Sequence, residues 1–159
     1  MTQSIRWLAC TGLFTFVLFV AGCSPSGPKL VPVTGKVSVN GKPARSAIVF
    51  MHRKGKSDML EPTPFATATD DGSFAIAWEP GREGAMPGDY VVTVIWPDMT
   101  KEPDGSGGRP DVLRGGFDKI PTSKLTATVK TEPTVLAPIE LTLSSAQAAK
   151  PALKDPTNK

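Results

Sequence analysis

One histidine and two cysteines in 159 residues narrow the chemistry open to this chain before any motif is considered. A lone imidazole, at His52, excludes a multi-histidine metal centre and leaves at most one candidate general base. The cysteines stand at positions 10 and 23, and Cys10 lies inside an apolar run over residues 7–20. That run is short, because crossing a hydrocarbon core of about 30 Å takes about 20 apolar residues. The 18 Lys and Arg against 15 Asp and Glu leave a formal charge of +3. They are scattered and form no basic stripe with interleaved aromatics, which argues against a nucleic-acid partner. From residue 30 onward helical spacing is not the recurring pattern either, since the apolar residues alternate at period two. Present instead are 15 Gly and 16 Pro, residues that interrupt helices and build turns. The length suits one domain, and the expected fold class is all-β.

Arg6, the apolar run and the small pair Ala21-Gly22 follow the plan of an export signal: a positive start, a greasy middle and a cleavable end. A retained N-terminal anchor helix is the alternative. Val20-Ala21-Gly22-Cys23 resembles the lipobox of bacterial lipoproteins, with Val20 in place of the usual Leu. The resemblance implies that residues 1–22 are a lipoprotein signal peptide, cleaved after Gly22, and that Cys23 is acylated. Several acyl chains hold a protein on a membrane far more firmly than one. Ser24 after the cysteine, where Asp would signal retention, points to the outer membrane in the Gram-negative sorting pattern. Cys10 then departs with the leader and Cys23 becomes a thioether, so the exported domain has no thiol for a disulfide, a nucleophile or a metal site. Residues 23–29, short and rich in Pro and Gly, read as a lipidated tether.

From residue 30 to residue 143, alternation at period two recurs between turn signals, as in an antiparallel β-sandwich. Val33, Gly35, Val37 and Val39 share one face of a first strand. Asn40-Gly41 closes that strand in a type I′ turn, and residues 47–52, apolar on both parities, read as the return strand, buried on both sides. Residues 65–69 turn through Asp70-Asp71-Gly72 into a strand over 73–78, where Phe74, Ile76 and Trp78 point into the core. Residues 90–96 form the most β-prone run, with Tyr90, Val92, Val94 and Trp96 inward. Residues 97–122 lack periodicity, and a loop of that length marks the place for recognition. Two final strands are expected over 125–130 and 139–143, followed by a disordered tail over 144–159.

Taken in order, VTGKVSVNGKPARSAIVF, ATATDDGSFAI and MPGDYVVTV resemble the carboxypeptidase regulatory-like domain, a seven-stranded, transthyretin-like sandwich of the immunoglobulin type. The likeness runs from residue 33 to residue 96. It implies the fold and an exported location and brings no catalytic residue with it. Within it, Gly35 permits close packing, Gly41 and Gly72 make turns, and Tyr90 after Pro87-Gly88 resembles a tyrosine corner.

Other chemistry is weakly signalled. Ser106 lies in a Gly-rich stretch without the strand and helix that a nucleophile elbow needs. Asp70, Asp71 and Asp89 lack the spacing of a calcium loop. His52 reads as a solvated strand-end histidine. Trp78 and Trp96 are candidate sugar-stacking residues, although a meander would place them at opposite poles. Arg109 and Arg114, in the long loop, are further candidate ligand contacts. The expectation is a non-catalytic envelope lipoprotein, exported and held to the membrane through Cys23, whose sandwich binds a surface protein or polysaccharide without a cofactor. A carbohydrate-binding module is the alternative. A transthyretin-like hydrolase comes third, since that class works with several histidines.

Overall fold

The computed structural model describes residues 27–55 and 61–143. Residues 1–22, where a signal peptide is expected, Cys23, and residues 144–159, where a disordered tail is expected, lie outside the described residues. Two sheets face each other across one core. The first is built on β1 (Val33–Val39), which carries β2 (Lys42–Pro43) and β5 (Ser73–Ala75) on one side and β10 (Thr134–Val135) and β11 (Ile139–Leu141) on the other. The second has the order β7-β6-β4-β3-β8-β9, where β3 is Ile48–Arg53, β4 Phe65–Thr67, β6 Ala77–Glu79, β7 Arg82–Glu83, β8 Gly88–Ile95 and β9 Thr126–Val129. No helix among the described residues is long and apolar enough to cross a membrane.

Alternation along β1 works as expected. Val33, Gly35, Val37 and Val39 are buried while Thr34 and Lys36 are exposed. Asn40 and Gly41 take φ of 50° and 74°, the left-handed values a type I′ turn requires. The return strand, however, is the short β2, with Val39 opposite Lys42 and Ser38 opposite Pro43. Pro43 has no amide to extend the ladder, and Ser46, at φ 63°, helps turn the chain across to the other sheet. Residues 47–52 therefore do not return beside β1. They supply β3, which pairs with β8 from Ile48↔Ile95 to Arg53↔Tyr90 and with β4 on its other edge. Nor is β3 buried on both sides: Val49 and Met51 are fully buried, whereas Ile48, Phe50 and His52 are half-buried. On that outer face Phe50 packs with Phe65 and His52, at ring separations of 6.2 and 6.4 Å.

The single strand expected over 73–78 is divided between the sheets. Its first half, β5, pairs with β1, and its second half, β6, pairs with β4 and β7. Ile76 sits at the crossing, its amide donating to Val33 O at 2.8 Å. The facing survives the break, since Phe74, Ile76 and Trp78 are all buried. The sandwich expected from sequence is thus present, but its pairing is not wholly antiparallel, and the strands β1 to β11 are shorter and more numerous than seven. Both β10 and β11 run parallel to β1, with Val33 opposite Thr134 and Val37 opposite Ile139.

Tyr90, fully buried on β8, donates its hydroxyl to Met86 O at 2.7 Å, the corner suggested by the sequence. Gly88 opens the same strand. Changing Tyr90 to Phe leaves the ring in place and orphans that carbonyl, so it is expected to cost about 1–2 kcal/mol. Urea unfolding checks this; an unchanged midpoint would mean that the corner holds nothing.

Candidate functional site

After Ile95 the chain leaves β8 and returns to it, and the excursion over residues 97–122 is built rather than slack. Its organiser is Asp111, whose carboxylate accepts from the amides of Trp96 at 2.9 Å, Leu113 at 3.0 Å and Gly115 at 2.9 Å. Backbone bonds Asp98 N to Pro110 O at 2.8 Å and Val112 N to Trp96 O at 2.7 Å close the base of the loop. Leu113 is fully buried in the core and pins the loop to the sandwich. Farther along, Val94 N donates to Phe117 O at 2.9 Å, and a short 3₁₀ turn at Ile120–Thr122 leads to β9.

Two smaller aspartate turns shape the rim. Asp98 accepts from Thr100 N and Oγ1, and Asp104 from Ser106 N, Ser106 Oγ and Gly108 N. Those hydrogen bonds, led by the hydroxyls of Thr100 and Ser106, hold both carboxyls below their ordinary values. Between rim and base lies a depression of about 480 Å³ lined by Asp98, Lys101, Glu102, Asp111 and Arg114. Charges of both signs converge there on a fixed floor.

The sequence candidates separate accordingly. Arg114, at φ 54°, lines the depression. Arg109 is a strut, donating to the Lys101 carbonyl. Trp78 is buried in the core, and Trp96 donates its indole N–H to Arg45 O at 2.8 Å. Trp78 lies on β6 and Trp96 directly follows β8, and β4 and β3 separate those two strands, so the two rings form no joint platform. Ser106 Oγ is engaged by Asp104 at 2.6 Å and has no base beside it. Asp71, in the turn before β5, is bonded by Thr69, Ser73 and Lys36, and the Thr69 hydroxyl first, with Ser73 and Lys36, holds its carboxyl well below the usual range. Asp70 pairs with Arg45 at 2.8 Å, while Asp89, on β8, accepts from Thr128 Oγ1 at 2.6 Å. Among the described residues no group of three or more His, Cys, Asp or Glu is placed to hold a metal.

His52 is not the solvated strand-end residue expected. It is half-buried, shares a 2.9 Å hydrogen bond with Thr93 and packs against Phe50, because β8 rather than solvent flanks it. Burial pushes its imidazole below the ordinary value. The unfolded chain then takes the proton first, at about pH 6.5. Stability from this residue is therefore full above that pH and falls as pH drops toward the lower folded value. Urea midpoints between about pH 8 and pH 5 are expected to decline less in His52→Gln than in the wild type; identical slopes would refute the assignment.

Sequence reading missed Asp111 and Leu113. Their signal was an Asp-x-x-x-Gly spacing around one large apolar residue, faint inside a stretch with no periodicity.

Fold and surface together define a β-sandwich whose long loop is pinned to the core by Asp111 and Leu113, and the hydroxyl that meets the imidazole of His52, that of Thr93, belongs to a buried residue. No family model matches the chain, and no curated protein matches it. Among solved structures it is similar to a DUF3823 family protein from Bacteroides ovatus, with a TM-score of 0.38 and 16% identity over 70% of this chain and 44% of that one. It is also similar to a DUF3823 family protein from Parabacteroides merdae, with a TM-score of 0.36 and 10% identity over 74% of this chain and 47% of that one. The chain thus spans less than half the length of either.

Proposed function

We propose that this protein is a non-catalytic lipoprotein of the bacterial cell envelope, anchored through Cys23, whose sandwich binds a surface protein or polymer. The binding role rests on one observation: Asp111 and Leu113 hold the 97–122 loop against the core, so Lys101, Glu102 and Arg114 border a depression of about 480 Å³ on a fixed base. A rigid base lowers the ordering cost of recognition. The address rests on Val20-Ala21-Gly22-Cys23, and the carboxypeptidase regulatory-like pattern over residues 33–96 suits an exported module. A carbohydrate-binding role keeps only half of its motive, because Trp78 is buried and the half-buried Trp96, across the sheet from it, has no second ring beside it.

The test is affinity capture from detergent-solubilised envelopes, comparing wild type with a Lys101→Glu/Arg114→Glu variant. Wild type is expected to recover a reproducible protein or polymer, and the charge-reversed variant to recover about tenfold less of it. Equal recovery by both, or no reproducible species with wild type, would overturn the reading.

A further inference from the structure

The two sheets leave a seam open. On one side lies β9, the terminal strand of the second sheet, and on the other lies the outer edge of β10 and β11 in the first. Chain direction explains the gap: residues 130–133 cross from one sheet to the other, so consecutive strands end up facing each other without a ladder between them. Their backbone groups face the gap in alternation. Leu125 O accepts from Val92 N at 2.9 Å, and Ala127 and Val129 stand opposite Tyr90 and Gly88. The odd positions therefore serve β8, and the N–H and C=O of Thr126 and Thr128 point away from it. Across the seam Thr134 N and Leu136 N donate to Pro32 O and Thr34 O, while Leu141 O accepts from Asn40 N. Val135 and Glu140 consequently turn their backbone groups outward, and no described residue pairs with them or with those of Thr126 and Thr128.

Both edges line one cleft of about 520 Å³, with Val92, Ala127, Leu136 and Ile139 among its apolar lining. Val92 and Ile139 belong to the core, and Ala127 and Leu136 pack against it. Exposed strand edges are ordinarily guarded by a charge, a proline or a bulge. Thr126-Ala127-Thr128-Val129 has none of these, and its register with β8 is regular. Val135, on the facing edge, is 80% exposed. Lys130, Pro138 and Glu140 also border the cleft, and the Thr134 hydroxyl is engaged by Lys130 N and Glu132 O. The polar groups that repeat along both edges are main-chain ones, which suit a strand better than a small molecule held by converging side chains.

We propose that this cleft accepts one extended peptide strand from a partner protein, added to the edge of β9. The strand recognised has small apolar side chains at alternate positions, facing Val92 and Ile139, with polar residues between them. Main-chain hydrogen bonds supply affinity and the apolar lining selects side chains. The inference depends on neither the lipid nor the 97–122 loop, so its failure would leave the envelope reading standing.

Amide hydrogen exchange on the full chain in detergent micelles tests it. The probe is a capped synthetic peptide of alternating valine and threonine, about eight residues long, with lysine at each end. Saturating peptide is expected to slow exchange at Thr126 and Thr128 by about tenfold. In Thr128→Pro the missing amide faced the cleft and not β8, so the β8–β9 ladder is expected to persist while peptide protection at Thr126 disappears. Thr128→Ala, which keeps the amide, is expected to respond like wild type. No protection at Thr126 and Thr128 would overturn the proposal. So would protection already present without peptide, whether lost on truncation after Leu143, meaning the chain's own tail fills the cleft, or dependent on protein concentration, meaning a second copy does.

Discussion

Gly72→Ala is expected to lower the unfolding free energy by about 3 kcal/mol, among the largest effects of any single methyl added to this chain. Gly72 holds φ at 78°, which costs an L-residue about 1–2 kcal/mol. The added Cβ would also lie 2.4 Å from Val37 O. That neighbour is backbone, fixed because Val37 N donates to Gly72 O at 2.9 Å, so the turn must move away from β1 and weaken this bond. Gly41 provides the control. Its φ is 74° but nothing lies within 4 Å of its Cβ position, so Gly41→Ala is expected to cost only about 1 kcal/mol. Urea unfolding of the two variants separates conformational strain from collision; equal losses would show that the approach to Val37 is immaterial.

A second large effect is expected at Gly35, where the added Cβ would meet Phe74 Cζ at 2.5 Å and both Cε atoms at 3.0 Å. Gly35 and Phe74 are register partners on β1 and β5, and the ring is 4% exposed. With the ring end-on in a packed core, Gly35→Ala is expected to cost about 2 kcal/mol. Phe74→Leu alone is expected to cost about 1 kcal/mol, from the volume left empty. Together they are expected to cost less than the sum by about 1 kcal/mol, since leucine vacates the space the methyl needs. Additive costs from a double-mutant cycle would refute the contact.

These glycines illustrate what was legible in the sequence. Alternation assigned the buried faces of β1, of residues 73–78 and of β8, because a one-residue shift would expose a whole apolar set. Asn40-Gly41 and Tyr90 were readable through local chemistry. Partner choice was not, since a strand's pattern states which face is buried and not which neighbour it bonds. Hence residues 73–78 served two sheets, and residues 47–52 left β1 for β8. The parallel pairing of β10 and β11 depended on a crossing at residues 130–133 that leaves no periodic trace.

The candidate surface was less legible still. The length and irregularity of residues 97–122 marked the place, yet Arg109 and Arg114 looked equivalent until the Lys101 carbonyl claimed one of them. Trp78 and Trp96 drew notice as aromatics, but Trp78 is buried and Trp96, half-buried, has its indole N–H engaged by Arg45 O. Asp111, which organises the loop, resembled any other turn aspartate until its three amide donors were placed around it.

Intact mass spectrometry of the protein extracted from membranes, beside a Cys23→Ser variant, tests the envelope assignment most directly. The native protein is expected to begin at Cys23 and to carry the added mass of acyl chains, and the variant to lose that mass and leave the membrane fraction. A native protein that keeps residues 1–22 and carries no acyl group would contradict it.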